Sequence, residues 1–310
     1  MERNQESVVI TGGQGFIGSW VAKLLLEQTN QGCNSYNVII VDVKPDDRIL
    51  RQVLSPSQLS MLTRVYLDIA NGQAVTDMVR KYTPSFIIHL AGLQIPTCRA
   101  NPILGCQVNV IGTINVFEAV KQLEKTCPII YASSAAVSGP SEDYDGPIND
   151  NASHTPLTHY GVYKQANEGS ARVYWMDNKI PSVALRPFTV GDICVNYVED
   201  IASLFIQLGQ LKDTIKGAHV CNITGDVVSV QQWVDLVKQV AEKEMNKSIN
   251  VKIEGSPLPY PTHFKEDTLA KLLNCQSNQV KTTPPIIAIT KTLKIFKSLS
   301  DQSILEFNDL

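Results

Sequence analysis

A glycine-rich turn near the start of the chain constrains its fold more than any other feature. Residues 7–10 (Ser-Val-Val-Ile) form a short β-branched run that is typical of a buried strand. Residues 20–26 carry apolar side chains at helical spacing, so Gly12, Gly15 and Gly18 lie on a strand-to-helix turn. Glycines there permit a tight turn, a close backbone approach to a pyrophosphate and close packing of the helix on the strand. The helix N-terminus then faces phosphates, which predicts a dinucleotide site.

An acidic residue closes the next predicted strand. Residues 37–42 form a continuous apolar run that ends at Asp42 and suits a parallel strand buried on both faces. A carboxylate at this position accepts hydrogen bonds from the adenosine ribose and repels a 2′-phosphate, so it favours NAD over NADP. Lys44 lies two residues further on and could soften that preference.

Strands and helices alternate through the first half of the chain. This order predicts an α/β fold with a doubly wound parallel sheet, in which ligands bind beyond the carboxyl ends of the strands. The predicted helices cover residues 71–82, 106–123 and 159–175, and further strands cover 85–92, 129–134 and 182–186. Residues 139–156, which are rich in Asp, Asn, Pro and Ser, are predicted to form an exposed loop.

Composition limits the classes of function. With 310 residues, 44% of them hydrophobic and 18% charged, the chain has the composition of an ordinary globular protein. A net charge of −3 and the lack of a basic block argue against nucleic acid as a partner. No apolar run of membrane-spanning length and no signal core stand out, and the seven cysteines form no Cys-x-x-Cys pair. We therefore expect a cytoplasmic protein with reduced thiols, no membrane segment and no metal site.

A tyrosine and a lysine are placed for acid/base chemistry. Tyr160 and Lys164 are four residues apart on one predicted helix and so share a face. A nearby ammonium and the positive ring of NAD⁺ would lower the pKa of the phenol, whose ordinary value is about 10. Tyr160 would then take a hydroxyl proton as hydride leaves the substrate carbon. Ser134, at the end of another predicted strand, would hydrogen-bond the reacting oxygen.

Several motifs in this order resemble those of the extended short-chain dehydrogenases/reductases, the NAD-dependent epimerase/dehydratase family. The motifs span most of the chain and lie at residues 11–18, 89–93, 109–113, 133–139, 160–164 and 185–188. The triplet Ala91-Gly92-Leu93 is similar to that of the UDP-glucose 4-epimerase branch.

The resemblance implies a Rossmann-type fold, NAD as cofactor, a small-molecule substrate such as a nucleotide sugar, and a homodimer. It implies Ser134, Tyr160 and Lys164 as catalytic residues. It also implies cofactor contacts by Gly12, Gly15, Phe16, Ile17, Gly18, Asp42, Asp68, Ile69, Leu90, Ala91, Gly92, Gln94, Asn109, Tyr160, Lys164 and Phe188. Within that set, Asp68 and Ile69 would lie at the adenine and Phe188 by the nicotinamide.

The second half of the chain departs from the family pattern. The family usually has a substrate-binding stretch of several tens of residues after the Arg-Pro motif, whereas here residues 190–196 form only a short link. No arginine follows Arg186, although an arginine fork suits a substrate diphosphate better than lysine does. Gln94 stands where the epimerase branch often has lysine. These departures predict an NAD-binding domain over residues 1–188 and a small, reduced substrate-binding region over 189–310.

Three functions remain open at this point. The first is an NAD-dependent epimerase or related enzyme acting on a nucleotide sugar by transient hydride transfer. The second is an NAD-dependent dehydrogenase of a small hydroxy compound, which the missing arginines favour. The third is a catalytically impaired NAD-binding protein without a complete substrate site, which the short link favours.

Overall fold

A computed structural model describes residues 5–32, 35–187, 193–254, 261, 263–274, 280 and 282–302, with only the backbone described for 193–195. The described strands are β1 (Glu6–Thr11), β2 (Tyr36–Asp42), β3 (Thr63–Tyr66), β4 (Phe86–His89), β5 (Ile129–Ala132), β6 (Ser182–Arg186), β7 (Ile193–Val195), β8 (Ala218–Asn222) and β9 (Asp226–Val228).

The described helices lie between and after these strands. They are α1 (Phe16–Asn30), α2 (Arg48–Val53), α3 (Pro56–Met61), α4 (Gly72–Tyr82), α5 (Ile95–Ala100), α6 (Pro102–Cys106), α7 (Gly112–Val120), α8 (His159–Asn178), α9 (Val198–Gln210), α10 (Val230–Met245), α11 (Asp267–Leu272) and α12 (Pro285–Asp301).

Seven strands form one parallel sheet in the order β3-β2-β1-β4-β5-β6-β8. The sheet runs outward from β1 in both directions, because β2 and β4 pair with its two edges. All carboxyl ends lie at one edge of a parallel sheet, so the ends of β1, β2, β4 and β5 open onto a common crevice. The predicted α/β, doubly wound Rossmann-type sheet is confirmed.

Side chains that alternate along the strands fill two separate cores. Val8 and Ile10 of β1 pack on one face with residues of α1 and α9, including Phe205. Val9 packs on the other face with α4, α7 and α8, where Phe117 is fully buried. A strand with both faces covered must be apolar throughout, which explains the continuous β-branched runs in the sequence.

The helix that precedes β5 changes its geometry midway. A π-helical segment, Gln107–Ile111, joins α6 to α7. Within the described residues the whole stretch Pro102–Val120 is long and apolar enough to cross a membrane by length and composition, with a mean hydropathy of 1.4. The expectation that no stretch reaches this length is therefore wrong, since the scattered polar residues scarcely lower the average. Here α7 packs against α4 and α8 in the second core.

Structure beyond the predicted domain boundary contributes to the same sheet. β8 pairs with β6, and α9 packs against α1 and β4. The smaller antiparallel pair β7–β9 and the packed helices α10 and α12 follow. The boundary itself, at residues 188/189, lies outside the described residues, so the division into two domains stays a prediction.

The loop over residues 139–156 is less exposed than predicted. Ile148 and Asp150 are buried. Ile148 forms a bridge with Phe264, its N–H donates to the His263 carbonyl at 2.9 Å, and its own carbonyl accepts from the Lys265 N–H at 2.8 Å. The prediction of an exposed loop is wrong at these two positions, because a distant C-terminal segment covers them.

Candidate active site

A cavity of about 740 Å³ opens at the carboxyl ends of the parallel strands. Its walls come from the glycine turn, the ends of β2, β4 and β5, and the first turns of α8. The predicted residues that line it are Gly12, Gly15, Phe16, Ile17, Gly18, Asp42, Asp68, Ile69, Leu90, Ala91, Gly92, Gln94, Ser134, Tyr160 and Lys164. The fold therefore brings almost all of the predicted site residues together.

Backbone geometry at the glycine turn requires the absence of side chains. Gly12 has φ of +67°, and a Cβ there would lie 2.8 Å from the Ala91 backbone nitrogen. A Cβ on Gly18 would meet the Gly12 carbonyl oxygen. Gly15 is the N-cap of α1, so the free N–H groups of the first helical turn face the cavity.

The Asp42 end of the cavity is held by a residue that sequence reasoning missed. The two carboxylate oxygens of Asp42 accept hydrogen bonds from the backbone N–H groups of Gln14, at 3.2 Å, and Val43, at 2.9 Å. The buried Gln14 side chain donates to the Lys44 carbonyl at 2.6 Å and accepts from the Asp46 N–H at 2.8 Å. The Lys44 side chain is exposed and does not line the cavity described here. Gln14 lies inside the glycine motif, but its long-range partners gave no local signal.

Two of the predicted cofactor residues are not among the described residues that line the cavity. Asn109 is buried behind it, where its side-chain amide accepts from the Leu93 N–H at 2.6 Å and donates to the Leu93 carbonyl at 2.9 Å. It therefore fixes the loop after β4 from behind. Phe188 lies outside the described residues, so its predicted contact stays a prediction.

The reactive end is formed by α8 facing the end of β5. The Thr158 side chain caps the helix by accepting from the Gly161 N–H at 3.0 Å, which places Tyr160 in the first turn. Tyr160 and Lys164 are both buried. The Lys164 ammonium donates to the Ala132 carbonyl at 2.6 Å and lies 5.6 Å from the centroid of the Tyr160 ring. Ser134 forms a hydrogen bond with the Tyr160 hydroxyl.

Burial dominates the ionisation of both groups. It raises the pKa of Tyr160 above its ordinary value of 10, against the opposing effect of the hydrogen bond to Ser134. Burial also lowers the pKa of Lys164 to about 8. The expected lowering of the Tyr160 pKa is thus wrong for the protein's own groups, because loss of hydration at the phenolate outweighs the stabilising contacts. The ammonium itself points to the Ala132 carbonyl.

A buried ion pair lies directly behind the reactive end, and sequence reasoning missed it. The Glu168 carboxylate accepts from the Ser133 hydroxyl at 2.5 Å and from the Arg186 guanidinium at 2.8 Å and 2.7 Å. Only 2% and 8% of the Arg186 and Glu168 side chains are exposed. The guanidinium also bonds the Asp150 carbonyl, the Asn222 side chain and His154 Nε2. The four-residue spacing of 160, 164 and 168 was the available signal.

Comparison with known proteins agrees with this fold. The family model described as GDP-mannose 4,6 dehydratase matches residues 9–194. The CDP-paratose 2-epimerase of Salmonella typhi is 36% identical over 138 residues, which cover 44% of this chain and 39% of that protein. The D-erythronate dehydrogenase of Haemophilus influenzae is 28% identical over 204 residues, which cover 63% of this chain and 60% of that protein. The chain thus spans less than two thirds of the length of these two relatives.

Among solved structures, a UDP-glucuronic acid 4-epimerase from Bacillus cereus in complex with UDP-glucuronic acid and NAD has a similar fold. It superposes with a TM-score of 0.73 at 20% identity and covers 94% of this chain and 99% of its own. The cofactor predicted from this sequence is the one bound in that protein. Because the family model matches more than half of the residues, this protein belongs to the GDP-mannose 4,6 dehydratase family, and the predicted kinship with epimerases and dehydratases is confirmed.

Proposed function

We propose that this protein is an NAD-dependent oxidoreductase or isomerase that acts on a nucleotide sugar by transient hydride transfer. One observation carries the proposal. A single cavity has a glycine turn and Asp42 at one end, and Ser134, Tyr160 and Lys164 at the other. The first end suits a dinucleotide, and the second suits proton transfer at a hydroxyl group.

The residues at the first end fit NAD. The positive φ of Gly12 and the absent Cβ atoms let the backbone of the turn pack closely, so that the N–H groups of the first turn of α1 face the cavity and would bind phosphates. Asp42 would accept hydrogen bonds from the adenosine ribose hydroxyls, and Asp68 and Ile69 would lie at the adenine. When bound, NAD supplies the hydride acceptor for the reaction.

The residues at the second end would manage the proton. Tyr160 would take the proton of the substrate hydroxyl as its carbon loses hydride, with Ser134 orienting the same oxygen. Because burial raises the pKa of Tyr160, the phenolate needs positive charge nearby. Lys164, whose pKa burial lowers to about 8, would supply part of that charge in its protonated form.

The proposal is tested by titrating NAD calorimetrically and then assaying the NAD-loaded protein with CDP-, GDP- and UDP-hexoses. We expect NAD binding, a new sugar isomer or keto sugar, and no matching accumulation of NADH in an epimerisation. NAD binding without turnover of any nucleotide sugar would contradict the proposed substrate class.

A dehydrogenase of a small hydroxy compound is the second candidate. Lys164 is the single cation among the described residues that line the cavity, and the Arg186 guanidinium is committed to Glu168. The sequence of residues 188–192 contains no Lys, Arg or His. A diphosphate would therefore find few charged donors, and the similarity to D-erythronate dehydrogenase points the same way. Stoichiometric NADH accumulation with a small hydroxy acid would favour this candidate.

A catalytically impaired NAD-binding protein is the third candidate. The short link over residues 190–196 favours it; residues 190–192 of that link lie outside the described residues, and β7 begins at Ile193. Binding of NAD with no turnover of either substrate class would support it. The homodimer and the cytoplasmic location stay predictions, and sedimentation of the purified chain tests the first of them.

A further inference from the structure

We propose that Glu168 is a positioning residue for the reactive end of the cavity, and that it acts through Ser133. Its carboxylate holds the end of β5 against α8, so that the Ala132 carbonyl and the Ser134 hydroxyl stay opposite Lys164 and Tyr160. The expected effect on turnover rests on the proposed function. The coupling between Glu168, Ser133 and the surroundings of Lys164 does not depend on it.

Three consecutive residues of the strand end are held by three successive positions of one helix face. Ser134 hydrogen-bonds Tyr160, and the Ala132 carbonyl accepts from Lys164 at 2.6 Å. Between them, the Ser133 hydroxyl donates to Glu168 at 2.5 Å. Residues four apart lie above one another on a helix, so each turn of α8 contributes one bond to the same strand end. Glu168 is the third member of this series.

The Glu168 carboxylate is held in a fixed orientation and can therefore fix the position of the Ser133 hydroxyl. Arg186 binds both of its oxygens in a fork, and each side chain is almost fully buried. A bidentate pair fixes orientation as well as distance. Arg186 lies at the end of β6, and β6 pairs with β5, so the carboxylate is tied to the sheet that it helps to align. It cannot turn toward solvent without leaving a buried guanidinium unpaired.

The contact that can be removed cleanly is the Ser133 hydroxyl. Ser133→Ala deletes one hydrogen bond to the carboxylate and leaves the Arg186 pair in place. The strand end then keeps the backbone bond from the Ser133 N–H to the Leu185 carbonyl at 2.7 Å but loses its side-chain tie to α8, so the neighbouring Ala132 carbonyl can shift relative to Lys164. Burial lowers the pKa of Lys164, and the nearby Cys98 and Glu168 raise it. A hydrogen bond to the charged form of a group also favours that form, so a weaker bond to the Ala132 carbonyl should lower the pKa of Lys164 further.

The pKa of Lys164 is therefore measured by NMR in the full chain labelled with ¹³C-lysine, without NAD or substrate, and with Lys164→Met to assign the signal. In Ser133→Ala and Ser133→Gly we expect that pKa to fall by about 0.5 or more from the wild-type value. Ser133→Thr, which keeps the hydroxyl, should stay close to wild type. The matched control is Ser182→Ala on β6, because the buried Ser182 hydroxyl has no hydrogen-bond partner among the described residues.

A purely structural role would lower the unfolding temperature of the Ser133 variants without moving the pKa of Lys164, and the control, which loses a hydroxyl that has no partner among the described residues, should change neither. An unchanged pKa in the folded Ser133→Ala and Ser133→Gly variants would overturn the proposal. For a substrate that the wild type turns over, kcat should fall about tenfold or more while KM and NAD affinity change less than about twofold. If the wild type turns over nothing, the proposed function fails and the NMR measurement still decides this inference.

Discussion

The two ends of the cavity are built in different ways. The phosphate end is made by backbone: Gly12, Gly15 and Gly18 lie within seven residues of each other and let backbone segments approach closely where side chains would clash. The reactive end is made by side chains from α8 and β5, which are brought together by the fold. The first end depends on local conformation and the second on long-range pairing.

The difference also appears in the electrostatics. At the phosphate end, the charge comes from a helix terminus and from Asp42, both close to solvent. At the reactive end, Lys164, Glu168 and Arg186 are buried, and each is held by a specific partner. Substitutions at the two ends should therefore separate binding from chemistry, and the following predictions test that separation from the largest expected effect to the smallest.

Removal of the Tyr160 hydroxyl should affect the reactive end alone. Tyr160→Phe should lower turnover by ~10²–10⁴-fold, because the proton acceptor is lost, and leave NAD affinity nearly unchanged. Steady-state kinetics and calorimetry measure the two effects. Tyr163→Phe is the matched control, since the Tyr163 hydroxyl on the same helix donates to the Pro102 carbonyl at 2.8 Å. If Tyr160→Phe keeps more than a few per cent of the wild-type rate, Tyr160 is not the proton acceptor.

Loss of the Glu168 charge should cost stability. Glu168→Gln leaves the buried Arg186 without its anionic partner, so the free energy of unfolding should fall by about 3–5 kcal/mol. Urea denaturation measures it. Glu118→Gln is the comparison, because the Glu118 side chain is 43% exposed and its loss should cost under about 1 kcal/mol. Equal losses of stability in the two variants would show that burial of the Glu168–Arg186 pair adds nothing to its contribution.

Lys164 should make stability rise with pH in the alkaline range. Its pKa is about 8 in the folded chain and 10.5 ordinarily, so between these values the unfolded chain binds more protons. The free energy of unfolding of the wild type, relative to Lys164→Met, should therefore increase by ~2–3 kcal/mol from pH 8 to pH 10.5. If the difference in free energy of unfolding between wild type and Lys164→Met does not change with pH, the Lys164 ammonium is in contact with water.

The smallest effect belongs to the phosphate end. Asp42→Asn removes the charge that repels a 2′-phosphate, so the preference for NAD over NADP should fall about tenfold, or about 1.4 kcal/mol. Asp46→Asn, four residues further on and bonded to Arg48 at the surface, should leave the preference unchanged. Calorimetric titration of both cofactors provides the ratio. Equal wild-type affinities for NAD and NADP would remove the basis of the assignment.

Much of the fold was predictable because its signals are local. The strand at residues 182–186 and the helix starting at His159 were placed at their observed positions, since apolar runs and helical spacing report burial directly. The helix predicted over 106–123 begins earlier, at Pro102, because Pro suits the first turn of a helix and the π-helical segment shifts the periodicity. The buried Ile148 was missed, because its partner near Phe264 is more than a hundred residues away.

The sequence by itself determined the parallel sheet, the glycine turn and the shared face of Tyr160 and Lys164, because strand alternation, backbone freedom and helical period are properties of neighbouring residues. Only the tertiary structure decided which groups are buried together. It placed Gln14 on the loop after β2, Asn109 behind the wall, and Glu168 between Ser133 and Arg186. These contacts, and the pKa values that burial sets, depend on surroundings contributed by distant segments; the spacing of residues 160, 164 and 168 places Glu168 on the same helix face but does not identify its partners.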